Sequence, residues 1–287
     1  MAASAVAVPE IEIASPTAAR LSEALTPVAA EVEPRAPHGL KLALYEDPDW
    51  IQLAEQVKDL YSRHDHVVLR GLPAFADGAM LMAALGILAT RFRPYGAERK
   101  VVKVFAMNPW SRDLARSAAE GFFHSDLNAS PDPPALTGIQ CIQPDPGAPD
   151  YGVNRIARLT DLLNDLEKRG AYDVIRWMTR TEVSMANDHS PKSWTGRVVE
   201  NGRIRFHPET IRAAARRNGK TVPEDKLVLI QEAAFNVSTP LILGEGDMLL
   251  LSNHRTLHYR GECSVVFRRF PTDFIARRIY VAHAADD

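Results

Sequence analysis

From residue 101 onward the chain reads as short apolar strands that never settle into β-α alternation, and this pattern restricts the fold more than any other. Residues 101–105, 136–142, 154–159, 227–231, 248–251 and 274–282 are rich in aliphatic and aromatic side chains and are bounded by Pro, Gly and Asp turns. Helical spacing interrupts them only at about residues 160–169 and 208–218. A doubly wound parallel sheet needs regular crossovers, so the expectation is a mainly β fold, an antiparallel barrel or jelly roll with flanking helices. Asn201-Gly202 between residues 197–200 and 203–206 reads as a two-residue hairpin.

The front of the chain is different. Residues 1–38 are rich in Ala, Pro and Glu and read as an arm with a mobile start and a docked remainder. Asp47-Pro48-Asp49 then opens a helix carrying Trp50, Leu53, Val57 and Leu60 on one face. Residues 66–70 follow as a buried strand stopped by Gly71 and Pro73, and residues 76–91 as a second helix. With no internal repeat and no long linker, residues 39–287 read as a single domain.

Composition excludes several classes of function. A net charge of -2 gives no general attraction to nucleic acid or to an anionic membrane surface. No apolar run approaches the roughly 20 residues that span a bilayer, and residues 2–8 lack the basic leader of a signal peptide. Cys141 and Cys263 stand far apart in no C-x-x-C arrangement, which suits two buried free thiols in a reducing cytoplasm. The expected partner is therefore a small molecule; self-association is not legible.

Chemistry concentrates in Gly121-Phe122-Phe123-His124-Ser125-Asp126-Leu127-Asn128. In an extended strand His124 and Asp126 would project to one side. Two histidines and a carboxylate on one face of a metal, with positions left open, form the site of non-haem Fe(II) oxygenases. A lone H-x-D is weak evidence, since chance alone supplies about 0.6 such pairs in a chain of this composition. His64-Asp65-His66 reads as a helix end and His207-Pro208-Glu209 as a helix start. More telling is the apolar strand 246–251 running into Asn253 and His258, followed by the basic strand Arg277-Arg278-Ile279-Tyr280-Val281.

These motifs together resemble the Fe(II)- and 2-oxoglutarate-dependent dioxygenases of the taurine dioxygenase and clavaminate synthase-like superfamily. The resemblance extends in order of features over about residues 45–283, with Val67 to Pro73 similar to an early family strand. It implies a double-stranded β-helix (jelly-roll) core and Fe(II) held by His124, Asp126 and His258, with Asn253 at the family's five-residue offset before the distal histidine and His254 as the competitor. It also implies 2-oxoglutarate as cosubstrate and O2 as oxidant. In the family's R-x-aromatic-aliphatic motif the arginine is Arg278, which would bind the distal carboxylate of 2-oxoglutarate, with Arg277 on the opposite face as the fallback. Asn154 falls where the family often places a threonine against the cosubstrate. Because Asp126 is a carboxylate, hydroxylation rather than halogenation is expected, on an unactivated C–H bond of a small polar substrate such as an amino acid or a natural-product intermediate.

Residues 172–235 read as a lid-like insertion, with Arg176, Arg180, Trp194, Arg197, Arg203 and Arg205 as either a basic lid or solvated arginines. Phe122, Phe123 and Asn128 are candidates for pocket lining or for core. Two alternatives stand beside the oxygenase: a jelly-roll metalloenzyme that does not use 2-oxoglutarate, and a non-catalytic jelly-roll binding protein.

Overall fold

A computed structural model describes residues 8–95, 99–187 and 193–285. Strand β1 (Glu10–Glu12) precedes helices α1 (Ser15–Leu25), α2 (Ala29–Arg35) and α3 (Pro48–His64), then β2 (His66–Arg70), α4 (Ala79–Leu85), β3 (Val102–Ala106), β4 (Leu136–Gln143) and β5 (Asn154–Arg158). Helices α5 (Leu159–Lys168) and α6 (Tyr172–Arg180) lead to short strands β6 (Glu182–Ala186), β7 (Ser193–Arg197), β8 (Val199–Glu200) and β9 (Arg203–Ile204). Helices α7 (Pro208–Arg217) and α8 (Glu224–Val237) come next, before β10 (Thr239–Leu241), β11 (Met248–Ser252), β12 (Thr256–Arg260), β13 (Val265–Arg269), β14 (Asp273–Ala276) and β15 (Arg278–Ala284).

Two sheets carry the architecture. The larger has the order β1-β2-β11-β4-β15-β3, antiparallel except where β1 lies beside β2, and the smaller is the antiparallel set β10-β5-β12. The two-residue period of a strand sorts their side chains. Ile139, Cys141, Leu249, Leu251, Ile279 and Val281 of the large sheet meet Ile156 and Leu241 of the small one in a shared cluster. The alternate residues Met248, Leu250, Ala282 and Ala284 turn the other way and pack on Leu21, Leu25, Val32 and Leu81 of the N-terminal helices. Behind the small sheet, Ala157 and Leu257 pack on Leu162, Val174, Leu227 and Ile230 of α5, α6 and α8. Each Leu, Ile, Val or Met side chain among them, fully buried, contributes about 1.5–3 kcal/mol. The result is mainly β, with helices covering both outer faces.

Local signals act as expected at several points. Asp47 caps α3, its carboxylate accepting from the Asp49 and Trp50 N–H groups. Asn201 and Gly202 both have positive φ (51° and 71°), as a type I′ turn requires, and join β8 to β9. In His64-Asp65-His66, Asp65 takes the left-handed conformation that ends α3.

Three expectations are corrected. Residues 227–231 are not a strand but part of α8, whose buried Leu227, Ile230, Ala233 and Ala234 repeat at helical spacing. Residues 274–282 divide into β14 and β15, which belong to different sheets. The helix expected over 76–91 ends as α4 at Leu85, where Gly86 and the residues after it close tight turns. The mobile start expected of the N-terminal arm falls on residues 1–7, outside the described residues.

Candidate metal centre

His124 is not in a continuous strand. It makes a single antiparallel bridge to His258, each backbone N–H donating to the other's carbonyl at 3.0 Å, and the chain then turns, with Leu127 at φ 51°. The expected strand is corrected here: clamps, rather than strand alternation, bring His124 and Asp126 together. On one side the Gln231 side chain pairs with the Phe123 backbone, accepting from its N–H at 2.8 Å and donating to its carbonyl at 2.9 Å. On the other, Asn253 Oδ1 accepts from the Asp126 N–H at 2.6 Å while its Nδ2 donates to the carbonyls of Asp126 and Pro134 at 3.1 and 2.9 Å. Each side-chain amide supplies a donor and an acceptor, so it acts as a one-residue partner strand.

His124, Asp126 and His258 thereby offer two imidazole nitrogens and one carboxylate oxygen, all within 4.8 Å of one another. Asp126 Oδ1 lies 3.7 Å from His124 Nε2 and 3.5 Å from His258 Nε2. His124 Nδ1 sits 2.7 Å from the Phe122 carbonyl, so Nδ1 carries the proton and Nε2 keeps its lone pair for a metal. Burial would raise the Asp126 carboxyl, but His258 and His283 outweigh it and hold it well below the usual carboxylate range. Burial pushes the His258 imidazole down against the opposing pull of Asp126. An ionised carboxylate beside a neutral imidazole is the protonation state that metal binding needs.

These three residues line a cavity of about 130 Å³ between the sheets, walled by Ile139, Ile156, Leu249, Ile279 and Val281. Arg260 and Arg277 both reach it; Arg277 is buried, donates from NH2 to Asn154 Oδ1 at 2.9 Å, and has no hydrogen-bond partner for NH1 among the described residues. Arg278 is exposed. This corrects the expectation for Arg278: Arg277 shares the inward face with Ile279, Val281 and His283, whereas Arg278 follows the outward set, next to a bulge between Arg278 and Ile279. Asn154 lines the cavity, and its oxygen is spent on Arg277.

A second cavity, of about 370 Å³, shares His124, Ala115 and Arg260 with the first and is lined by Phe122, Arg112, Asp113, His207, Glu209 and Thr210 among others. His207 is the N-cap of α7, its Nδ1 accepting from the Glu209 N–H, with its ring 4.9 Å from that of His124. Phe123 is core, stacked on Tyr259 at 5.0 Å, and Asn128 is a buried turn residue donating to the Ser125 carbonyl. A wider cleft, about 1030 Å³, contains none of the three metal-type ligands. Trp194, Arg197, Arg203, Arg205 and His254 line that cleft instead, and Arg205 stacks over Trp194. Of the two readings of these arginines, a basic lid or solvated arginines, the placement of Arg197, Arg203 and Arg205 in this cleft does not favour a basic lid over the metal group.

Sequence reasoning missed His283 and Thr137, both of which bond Asp126. The signal for His283 was its even spacing from Ile279 and Val281; nothing in the sequence singled out Thr137. No helix among the described residues is long and apolar enough to cross a membrane.

Residues 22–265 match the family model described as taurine catabolism dioxygenase TauD, TfdA family. Comparison with curated protein sequences gives no match. Among solved structures, an asparagine oxygenase in complex with Fe(II), 2S,3S-3-hydroxyasparagine and succinate superposes with a TM-score of 0.71 at 14% identity, covering 96% of this chain and 93% of that one. The non-haem iron oxygenase OrfP in complex with Fe and alpha-ketoglutaric acid gives 0.68 at 16% identity over 98% and 95%. OrfP with Fe, succinate and (3S)-hydroxy-L-Arg gives 0.69 at 16% identity over the same shares.

Proposed function

The chain belongs to the taurine catabolism dioxygenase TauD, TfdA family, and from that premise we propose that it is an Fe(II)- and 2-oxoglutarate-dependent dioxygenase hydroxylating an unactivated C–H bond of a small polar substrate, such as an amino acid. One observation carries this reading: His124, Asp126 and His258 converge in the same cavity as a buried arginine whose NH1 has no hydrogen-bond partner among the described residues. The two facing sheets are read as a double-stranded β-helix core. Residues 39–287 are read as one catalytic domain behind the arm 1–38, with 172–235 as its lid. The two buried thiols suit a reducing cytoplasm.

Bound Fe(II) with 2-oxoglutarate and O2 supplies an oxidant able to attack unactivated C–H bonds. The donor set fits that metal: two imidazoles and one carboxylate. Arg277, in place of Arg278, offers its unpaired NH1 to the distal carboxylate of 2-oxoglutarate, a charge-assisted contact that also relieves the cost of burying a guanidinium. Asn154 fixes the guanidinium plane through NH2. Ile139, Ile156, Leu249 and Val281 keep the inner chamber dry. The outer cavity, with Arg112, Asp113 and Glu209 among its walls, presents charges of both signs beside His124, which suits a zwitterionic substrate. The solved neighbours, crystallised with hydroxylated asparagine and arginine, favour the same class.

Purified protein given Fe(II) and carboxyl-labelled 2-oxoglutarate is expected to release labelled CO2, faster with the matching member of an amino-acid panel. The release should be lost in His258→Ala. Iron binding without consumption of 2-oxoglutarate would turn the assignment to a metalloenzyme of another kind.

A further inference from the structure

The three ligands alone do not fix how the carboxylate meets a metal, because a carboxylate can offer either oxygen or both. In this chain that choice is made by residues on the large sheet. Thr137 on β4 and His283 on β15 are cross-strand partners, and both reach Asp126 Oδ2: Thr137 Oγ1 donates at 2.8 Å and His283 Nε2 at 2.9 Å. The other ring nitrogen of His283, Nδ1, is hydrogen-bonded by the Tyr95 hydroxyl, and the two rings meet edge-on at 5.4 Å. With Nδ1 accepting from the phenol, Nε2 is the nitrogen that carries a proton towards Asp126. His283 and Thr137 are both buried, so neither bond is exchanged with water. Lys103 lies over the Tyr95 ring at 3.7 Å and backs the far end of the chain.

Two donors on Oδ2 leave Oδ1 facing the Nε2 atoms of His124 and His258. The geometry points to His283 and Thr137 as positioning residues that reserve Asp126 Oδ2 and present Oδ1 alone to the metal, with Tyr95 setting the tautomer of His283. The inference rests on the metal reading of the site but not on 2-oxoglutarate or on any substrate. It adds a residue pair from the large sheet to a site whose ligands come from the H-x-D turn and the small sheet. Removing partners of this kind typically weakens metal binding by 10–100-fold.

Co(II) titration of the metal-free protein, followed by its visible absorption, tests this without turnover. His283→Phe is expected to weaken Co(II) binding by roughly 10–100-fold and to change the band shape, because the carboxylate is freed to bind through both oxygens. His283→Gln, which keeps an N–H donor, should stay within a few-fold of wild type, and Thr137→Val should weaken binding where Thr137→Ser does not. Apo-state circular dichroism and melting temperature identify variants that fail to fold, and the Thr137 pair stands as an independent arm if His283→Phe is one of them. Folded His283→Phe and Thr137→Val proteins that bind Co(II) like wild type would overturn the inference, as would a Gln variant as weak as the Phe variant. Wild-type protein that takes up no Co(II) abolished by His258→Ala would strike at the metal centre itself, and the positioning role would fall with it.

Discussion

Arg277 and Arg278 are adjacent and carry the same charge, yet only one can serve the inner cavity, because successive strand side chains leave on opposite faces. Arg277 is 2% exposed and shares the cavity with His124, Asp126 and His258, whereas Arg278 is exposed. Substituting them separates their roles. A hydrogen bond to a charged group contributes about 1.5–3 kcal/mol, so losing the one offered by NH1 costs about 10–100-fold. Arg277→Gln should therefore raise the KM for 2-oxoglutarate by about that factor, while Arg278→Gln should leave it within about two-fold, measured as succinate formed against cosubstrate concentration. The choice was legible at this scale in principle: Ile279 and Val281 mark the apolar inward face, and Arg277 shares their parity. Motif matching pulled the other way, since R-x-aromatic-aliphatic fits Arg278-Ile279-Tyr280-Val281 while ignoring which face each residue occupies.

Between elements, the H-x-D turn is held by amide side chains rather than by a sheet. Asn253 makes three hydrogen bonds from a residue 1% exposed, two of them to the Asp126 backbone. Asn253→Leu keeps the approximate volume but strands those backbone groups, and each buried unsatisfied group costs about 1–3 kcal/mol. The variant should lose about 2–5 kcal/mol in urea unfolding, and what remains folded should bind Co(II) more weakly than wild type. Gln231→Leu should behave alike on the Phe123 side, more mildly because Gln231 is only part-buried. Asn253 stood out in the sequence because it ends an apolar strand five residues before His258, the offset of the resembled family. Gln231 did not, because the apolar run Leu227 to Ile230 reads equally as a strand. Its helical identity lay in Pro223, in Glu224 and Asp225 at the N-terminus, and in the spacing of Leu227, Ile230 and Ala234. Short apolar runs are ambiguous by periodicity alone, so features resting on them stayed hidden.

At the scale of the molecule, burying neutral imidazoles has a consequence for the response to acid. Net charge is only -2, so general charge repulsion is a small term near neutrality. His66, the first residue of β2, is 5% exposed; burial pushes its imidazole down to about 4, and its Nε2 has no hydrogen-bond partner among the described residues. Burial likewise drives His207 well below its ordinary value. Unfolding frees each to bind a proton near its ordinary pKa of about 6.5. Between that value and the folded one the unfolded chain holds more protons, so stability falls as pH falls. The stability is fully present above about 6.5 and is lost progressively towards 4. For His66 the gap is worth about 3 kcal/mol at its limit. Urea unfolding of the metal-free protein at pH 7 and at pH 4.5 should show a clear loss, and His66→Leu should reduce the loss by up to about that amount while leaving the carboxylate contributions in place. An equal loss in wild type and His66→Leu would mean that His66 titrates alike in both states, and would place the acid sensitivity on the remaining buried imidazoles and on Asp126.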